Sequence, residues 1–377
     1  MQEIYLGGVG MTKFGKRSES VVDLMVEAGR NAMEDAGVEK VDAVYVGVMS
    51  PEKFSGESNI ASVITDRLGL VPVPATRIET ASSSGAAAFD EAIYASASGY
   101  FDKVLAIAGE KMTGVSTVRA SKILSEVIPP QERKYGSTMP ALAALVTRRY
   151  MHEYGMEEED FAHVAVKNHY NALHHPYAHF NKEVSLEDVI NSRYVSDPLK
   201  LYDCAPISDG AASILLTREK SQVMLKGLGH GSDYVALSDR DSLTSFASTR
   251  AAAEMAYKMA GIGPEDISFA ELHDAFTPFE IIGSEDVGFF PRGRGWIAAA
   301  EGITARDGRF PINPSGGLKA RGHPVGASGL AQIVEAVWQL RGEAEDRQIP
   351  RDMRYALTQS IGGFATNNMV IILENTK

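Results

Sequence analysis

Cysteine is nearly absent: one, Cys204, in 377 residues. A single thiol excludes an internal disulfide framework and any paired-cysteine zinc or redox site. An excess of positive charge is also missing. Asp and Glu outnumber Lys and Arg by 49 to 37, a formal net charge of −12, so phosphate-backbone binding is not the main task. No apolar run approaches the ~20 residues that span a bilayer. The opening MQEIYLGGVG carries an early acid and no signal-peptide layout. The expectation is a cytoplasmic protein with neither a nucleic acid nor a membrane span among its partners. The remaining composition is ordinary, 44% apolar and 23% charged. That suffices for a core without disulfides or metal. At roughly 150 residues per domain, the length fits two or three domains or one large duplicated one.

Apolar runs alternate with helical patterns at both ends of the chain. Ala43–Val48 and Lys103–Ala108 read as buried strands, with Gly85–Gly99 between them as an alanine-rich helix. This alternation predicts an α/β architecture with mainly parallel pairing. The pattern also repeats. A helix ending Ala36-Gly37-Val38, then Lys40-Val41-Asp42 and a strand, returns as one ending Ala260-Gly261-Ile262, then Glu265-Asp266-Ile267 and a strand. Ser84-Gly85 opens a helix ahead of the strand at 103–108, and Ser328-Gly329 opens one ahead of Tyr355–Thr358. Matched units in one order predict a duplicated α/β domain with halves 1–225 and 226–377. The stretch 111–215 departs from the pattern, being rich in Met, His, Tyr and charge. It reads as an insertion suited to cover a site. Its acidic run Glu157–Asp160 reads as a solvated helix start, where carboxylates meet the favourable end of the dipole.

Three segments carry candidate chemistry. Arg77–Gly85 runs from a short strand through Thr80-Ala81-Ser82-Ser83-Ser84 into the alanine-rich helix. Small residues let a ligand approach the backbone, and the free N–H groups of a helix start suit an oxyanion. Asn313–Gly329 holds five glycines and two prolines in 17 residues, a shaped loop. His323 sits between Gly322 and Pro324 within it, a constrained histidine suited to proton transfer. The loop has no phosphate-cradling GxxxxGK[ST] pattern. Third, His273 in Glu271–Phe276 and Ser360 in Gln359–Phe364 each follow a strand, and strand ends are where α/β folds place ligands. The histidines His163, His169, His174, His175 and His179 show no recognised ligand spacing with carboxylates, so no metal site is read there.

Together these segments resemble the thiolase superfamily, nearest its sterol-carrier-protein thiolase-like branch. The resemblance is carried by GVGMTKFG, the ETASSSGAA turn, Asp203–Ala212, HDAF, GHPVGASG and the closing S-x-G-G turn. It implies two βαβαβαββ halves in a five-layered αβαβα sandwich with a loop domain inserted in the first half. In the family, a cysteine at the start of the first central helix takes the acyl group of an acyl-CoA, and the GHP histidine activates it. A second cysteine near the C-terminus moves the α-proton of the acceptor. Matched to those motifs, Ser82 stands at the nucleophile, His323 is its base, Ser360 stands at the second cysteine, and His273 is an oxyanion donor. Gly362 is the turn glycine whose N–H, with that of the nucleophile, forms another oxyanion hole. Cys204 matches neither cysteine and is expected to be structural.

Serine is a weaker nucleophile than cysteine and depends on its base. The resemblance implies an acetyl-CoA C-acyltransferase, with activity impaired or altered by serine. The same residues leave open thioester hydrolysis, retro-aldol cleavage, or a non-catalytic subunit that binds acyl-CoA. A CoA thioester is the implied substrate, with no metal or redox cofactor. The implied partners are a second copy, as homodimer or tetramer, and a small DUF35-type zinc-ribbon/OB-fold protein.

Overall fold

The computed structural model describes residues 2–377. The first half contributes β1 (Tyr5–Met11), α1 (Val21–Asp35), β2 (Ala43–Gly47), α2 (Ile60–Arg67), β3 (Ala75–Ile78), α3 (Ser84–Ala97) and β4 (Lys103–Lys111). A long excursion follows, with α4 (Met139–Tyr154) and α5 (Glu158–Ala172), before β5 (Asp209–Thr217). The second half holds β6 (Val223–Ser232), α6 (Ala247–Ala260), β7 (Phe269–Glu271), α7 (Thr277–Asp286), α8 (Ser328–Arg341), β8 (Tyr355–Gly362) and β9 (Asn367–Asn375).

The strand orders show the duplication directly. The first half runs β3-β2-β4-β5-β1, and the second runs β7-β8-β9-β6. In each half the last strand lies between the first strand and the strand that ends the parallel set. Where β3 flanks β2, Ile312 flanks β7 through a single parallel bridge to Ala270. One residue pair, Tyr5 opposite Met224, joins the two sheets edge to edge.

Helices α3 and α8 fill the space between the sheets. They share one core with Leu6, Val104 and Ile214 of the first half and Phe269, Ala356 and Ile371 of the second. Their N-terminal turns nearly touch. A methyl group on Gly85 would lie 2.6 Å from the Gly326 carbonyl oxygen, and one on Gly329 would lie 2.9 Å from the Ala86 nitrogen. The outer face of the first sheet is covered by α1 and α2, and that of the second by α6. The layers therefore run α, β, α, β, α, the expected thiolase-like sandwich.

A further internal match emerges here. Gly8 and Gly10 of β1 lie under Ala32 and Ala28 of α1, and Gly227 and Gly229 of β6 lie under Ala256 and Ala252 of α6. At all four glycines a methyl group would collide with a helix carbonyl oxygen. Each outer helix sits directly on its sheet because both surfaces are built from the smallest residues.

The expected insertion holds helices and one two-stranded ribbon of Tyr194–Ser196 with Leu199–Lys200. Its final residues, from Asp209, are instead a strand of the main sheet, paired with β4 and β1. Glu157–Asp160 does open a helix, with Asp160 accepting the Glu157 N–H at 2.7 Å. Among the described residues no helix is long and apolar enough to cross a membrane. None of their His, Cys, Asp and Glu side chains form a metal-holding group of three or more.

Candidate active site

The strand ends of both halves and the segments leading into α3 and α8, at Ala81–Ser82 and at His323 and Val325, face one cavity of about 410 Å³. Ser82, His273 and His323 all line it, although they lie far apart in the chain.

Ser82 is singled out from its neighbours by the turn that carries it. Ala81 adopts a left-handed backbone, φ 55°, a strained state for a residue with a Cβ. Its N–H is held by the Glu79 carboxylate at 2.6 Å. The Ser83 hydroxyl donates to Thr80 O (2.8 Å) and to Asn367 O (3.1 Å). The Ser84 hydroxyl donates to Ala81 O (2.6 Å) and accepts the Thr80 N–H (3.0 Å). Those two serines lock the turn, and of the three only Ser82 is on the cavity wall.

The two imidazoles stand 5.2 Å apart, edge to face at 89°. Their partners assign opposite tautomers. The Ser328 hydroxyl donates to Pro324 O (3.0 Å) and lies 2.7 Å from His323 Nδ1. Nδ1 of His323 therefore carries the hydrogen, and Nε2 is left as a free acceptor. His273 Nδ1 accepts the Ile361 N–H at 3.2 Å. Its hydrogen is therefore on Nε2, which is a donor. Burial and the Arg321 charge lower His323 to about 3. Burial, His323 and Arg321 hold His273 well below its ordinary value. Both rings are neutral near pH 7, one presenting a lone pair and the other an N–H.

Ser208 and Glu110 support this arrangement. The Ser208 hydroxyl accepts the His323 N–H at 3.2 Å. Glu110, buried at the end of β4, accepts the Met49 N–H (2.8 Å) and the Ser50 N–H (3.3 Å). Burial pushes its carboxyl up to about 7 against the pull of those amides and of Gly326 N–H. It thus ties the cavity wall at Met49 to the loop that carries His323.

The thiolase N-terminal domain family matches residues 5–220, and the thiolase C-terminal domain-like family matches 229–375. The chain belongs to the thiolase superfamily. It is 45% identical to an acetyl-CoA acetyltransferase of Methanothermobacter thermautotrophicus, over 96% of this chain and 97% of that one. It is 33% identical to sterol carrier protein 2 of Rattus norvegicus, over 96% of this chain and 70% of that one. Among solved structures, an Ltp2-ChsH2(DUF35) aldolase superposes with a TM-score of 0.85 at 27% identity, over 100% of this chain and 98% of that one.

Two residues matched by the thiolase motifs sit differently from expectation. Ser360 does not reach the cavity. Its neighbour Ile361 is on the wall, and alternation along β8 turns Ser360 to the other face. Its buried hydroxyl has no hydrogen-bond partner and lies where a methyl on Gly329 would come within 2.8 Å. Gly362 donates its N–H to Asn368 Oδ1 at 3.3 Å. A side chain there would strike Ser83 and Thr80, so this glycine is needed to seat β8 against the Ser82 turn. The glycine on the cavity wall is Gly363, with φ 60°.

Cys204, expected to be structural, is on the wall as well. Burial and Asp203 push its thiol up to about 12, so it remains protonated. The sequence marks Ser328 as a helix start, Ser208 within Asp203–Ala212 and Gly363 within the closing S-x-G-G turn, but assigns neither serine a role beside His323.

Proposed function

We propose that this thiolase-superfamily protein is an acyltransferase that moves an acyl group from a CoA thioester through Ser82. One observation carries the reading: a cavity-facing hydroxyl shares its chamber with two neutral imidazoles of opposite tautomer. His323 Nε2 takes the Ser82 proton as Oγ adds to the thioester carbonyl carbon. It returns that proton to the sulfur of the departing CoA. His273 Nε2–H donates to the carbonyl oxygen as that oxygen gains charge. In the second half-reaction the acyl group passes to the α-carbon of another CoA thioester. Ser360 is not on the cavity wall and Cys204 stays protonated, so His323 also takes the α-proton, and hands it to Ser82 Oγ as the Oγ–acyl bond breaks. An oxygen ester is a poorer acyl donor than a thioester, so carbon–carbon bond formation is slow and ester hydrolysis competes. The groove beyond Thr117 and Ser121 is lined by Lys122, Arg133 and Ser137, and by Glu126, whose carboxylate is paired with Lys53. Its basic and hydroxyl groups suit the phosphates of CoA.

Incubation with acetyl-CoA followed by peptide mass spectrometry tests the reading. An acetyl group on Ser82, absent from Ser82→Ala, is expected. Ser82→Cys should gain strongly in thiolysis of acetoacetyl-CoA. The absence of any adduct, with no CoA-thioester binding by calorimetry, would overturn the proposal.

The likeness to a DUF35-containing aldolase supports a second reading. Here the chain works in the cytoplasm with a small DUF35-type partner, and cleaves a β-hydroxyacyl-CoA to an aldehyde or ketone or only binds acyl-CoA. Release of a carbonyl product from such a substrate, dependent on a co-purifying partner, would favour it. A second copy of the chain fits the open side of β3, the half-exposed edge strand that leads into Ser82.

A further inference from the structure

We infer that the cavity beside Ser82 is built for an uncharged, apolar acyl group much larger than acetyl, a chain of about six or more carbons or an aromatic ring. This rests on the proposed acyl-CoA function and names its substrate class.

Two observations carry it. The first is size. About 410 Å³ falls in the range that encloses drug-sized ligands, roughly 300–1,000 Å³. The pantetheine arm entering past Thr117 and Ser121 takes part of that space, and a two-carbon acyl group would leave the Phe276–Phe279 wall unfilled. The second is chemistry. Away from Ser82, His273 and His323, the buried wall is made of side chains such as Phe276, Phe279, Ile361, Val325 and Met49. Phe276 and Phe279 pack edge to face at 5.2 Å, backed by Phe364. Among the described residues one lining side chain, Arg193, bears a full charge at neutral pH, and it is exposed at the rim. An apolar chamber holds water poorly, because an ordered water needs two or more polar partners. An acyl chain that fills it exchanges apolar surface in water for contact with aromatic and aliphatic walls. Each methylene so buried tightens binding about fourfold. A carboxylate at the chain end would find no buried partner there.

Calorimetric titration of the full-length protein with acetyl-CoA, octanoyl-CoA, succinyl-CoA and free CoA tests this. Octanoyl-CoA should bind at least about tenfold more tightly than acetyl-CoA, and succinyl-CoA no better than acetyl-CoA. Val127→Phe and Leu124→Phe each add a ring at a half-buried wall position. Each should cut the octanoyl-to-acetyl preference at least about fivefold, and the second serves if the first does not fold. Acetyl-CoA binding as tightly as octanoyl-CoA, succinyl-CoA binding best, or an unchanged preference in the folded variants would overturn the inference. If acetyl-CoA still acylates Ser82, only the chain-size claim falls. If no thioester binds, the acyl-CoA reading falls with it.

Discussion

Replacing Arg321 with Met deletes a buried cation that organises the loop carrying His323. Arg321 and Glu271 are both fully buried. The guanidinium donates to Glu271 Oε2 (3.3 Å), Ser315 Oγ (3.2 Å) and Ala331 O (3.2 Å). Glu271 also accepts the Ser315 N–H (3.0 Å) and hydroxyl (2.7 Å). Removing one partner of such a pair leaves the other uncompensated, at about 3–5 kcal/mol. Burial already raises Glu271 to about 7 despite Arg321. Without the cation it takes a proton, so the loss should sit near the lower bound. At about 2.1 cal/mol/K per residue, this 377-residue chain unfolds with roughly 0.8 kcal/mol/K, so a loss of about 3 kcal/mol should drop Tm by about 4 °C. Denaturant titration near pH 7 measures the loss. Glu271→Gln in the Arg321→Met background removes the orphaned acid and should recover at least half of it. The Arg321 charge also helps keep His323 neutral, so the acid limb of any rate profile should move to higher pH in Arg321→Met. A loss below about 1 kcal/mol, or a double variant that falls by the sum of the singles, would refute the reasoning.

Other perturbations read the site and the layers separately. Ser328→Ala removes the acceptor that keeps hydrogen on His323 Nδ1. kcat should fall about 5- to 100-fold while thioester affinity, followed by calorimetry, changes little; unchanged turnover would remove the tautomer argument. Glu110→Gln tests linkage. The folded carboxyl is raised by burial to about 7, so its favourable contribution is complete below the unfolded value of about 4.3 and is lost as pH rises through 7. The stability of Glu110→Gln relative to the parent should therefore improve between pH 5.5 and 8, and a constant difference across that window would contradict the burial argument. Gly229→Ala drives a methyl into the Ala252 carbonyl of α6. It should cost about 1–3 kcal/mol or more in denaturant titration, whereas an Ala that stabilises would mean α6 sits farther from its sheet.

The duplication was legible because strand and helix differ in period, and two αβ units recur with similar turn residues at their ends. The glycine-on-alanine match between β1–α1 and β6–α6 was not. Gly and Ala hardly contribute to hydrophobic periodicity, and their pairing shows only when backbones touch. The end of the insertion was misjudged for a related reason. Asp209–Thr217 is buried throughout, so it lacks the polar alternation that marks a half-exposed strand and gives no boundary of its own.

At the site, the sequence marks residue type and rough position, while function depends on direction. His323 between Gly and Pro and His273 after a strand were visible, and both line the cavity. Among three consecutive serines only the family motif marks Ser82; the physical distinction is made by the left-handed backbone at Ala81 and by bonds that consume the other two hydroxyls. Ser360 shows the complementary case: a motif supplies its place in β8, and strand alternation puts Ile361 rather than Ser360 on the cavity wall. The tautomers lie one step further from the sequence. They are set by a hydroxyl at the head of α8 and a backbone N–H at the end of β8, so two identical side chains become a base and a donor only once the two halves have folded against each other.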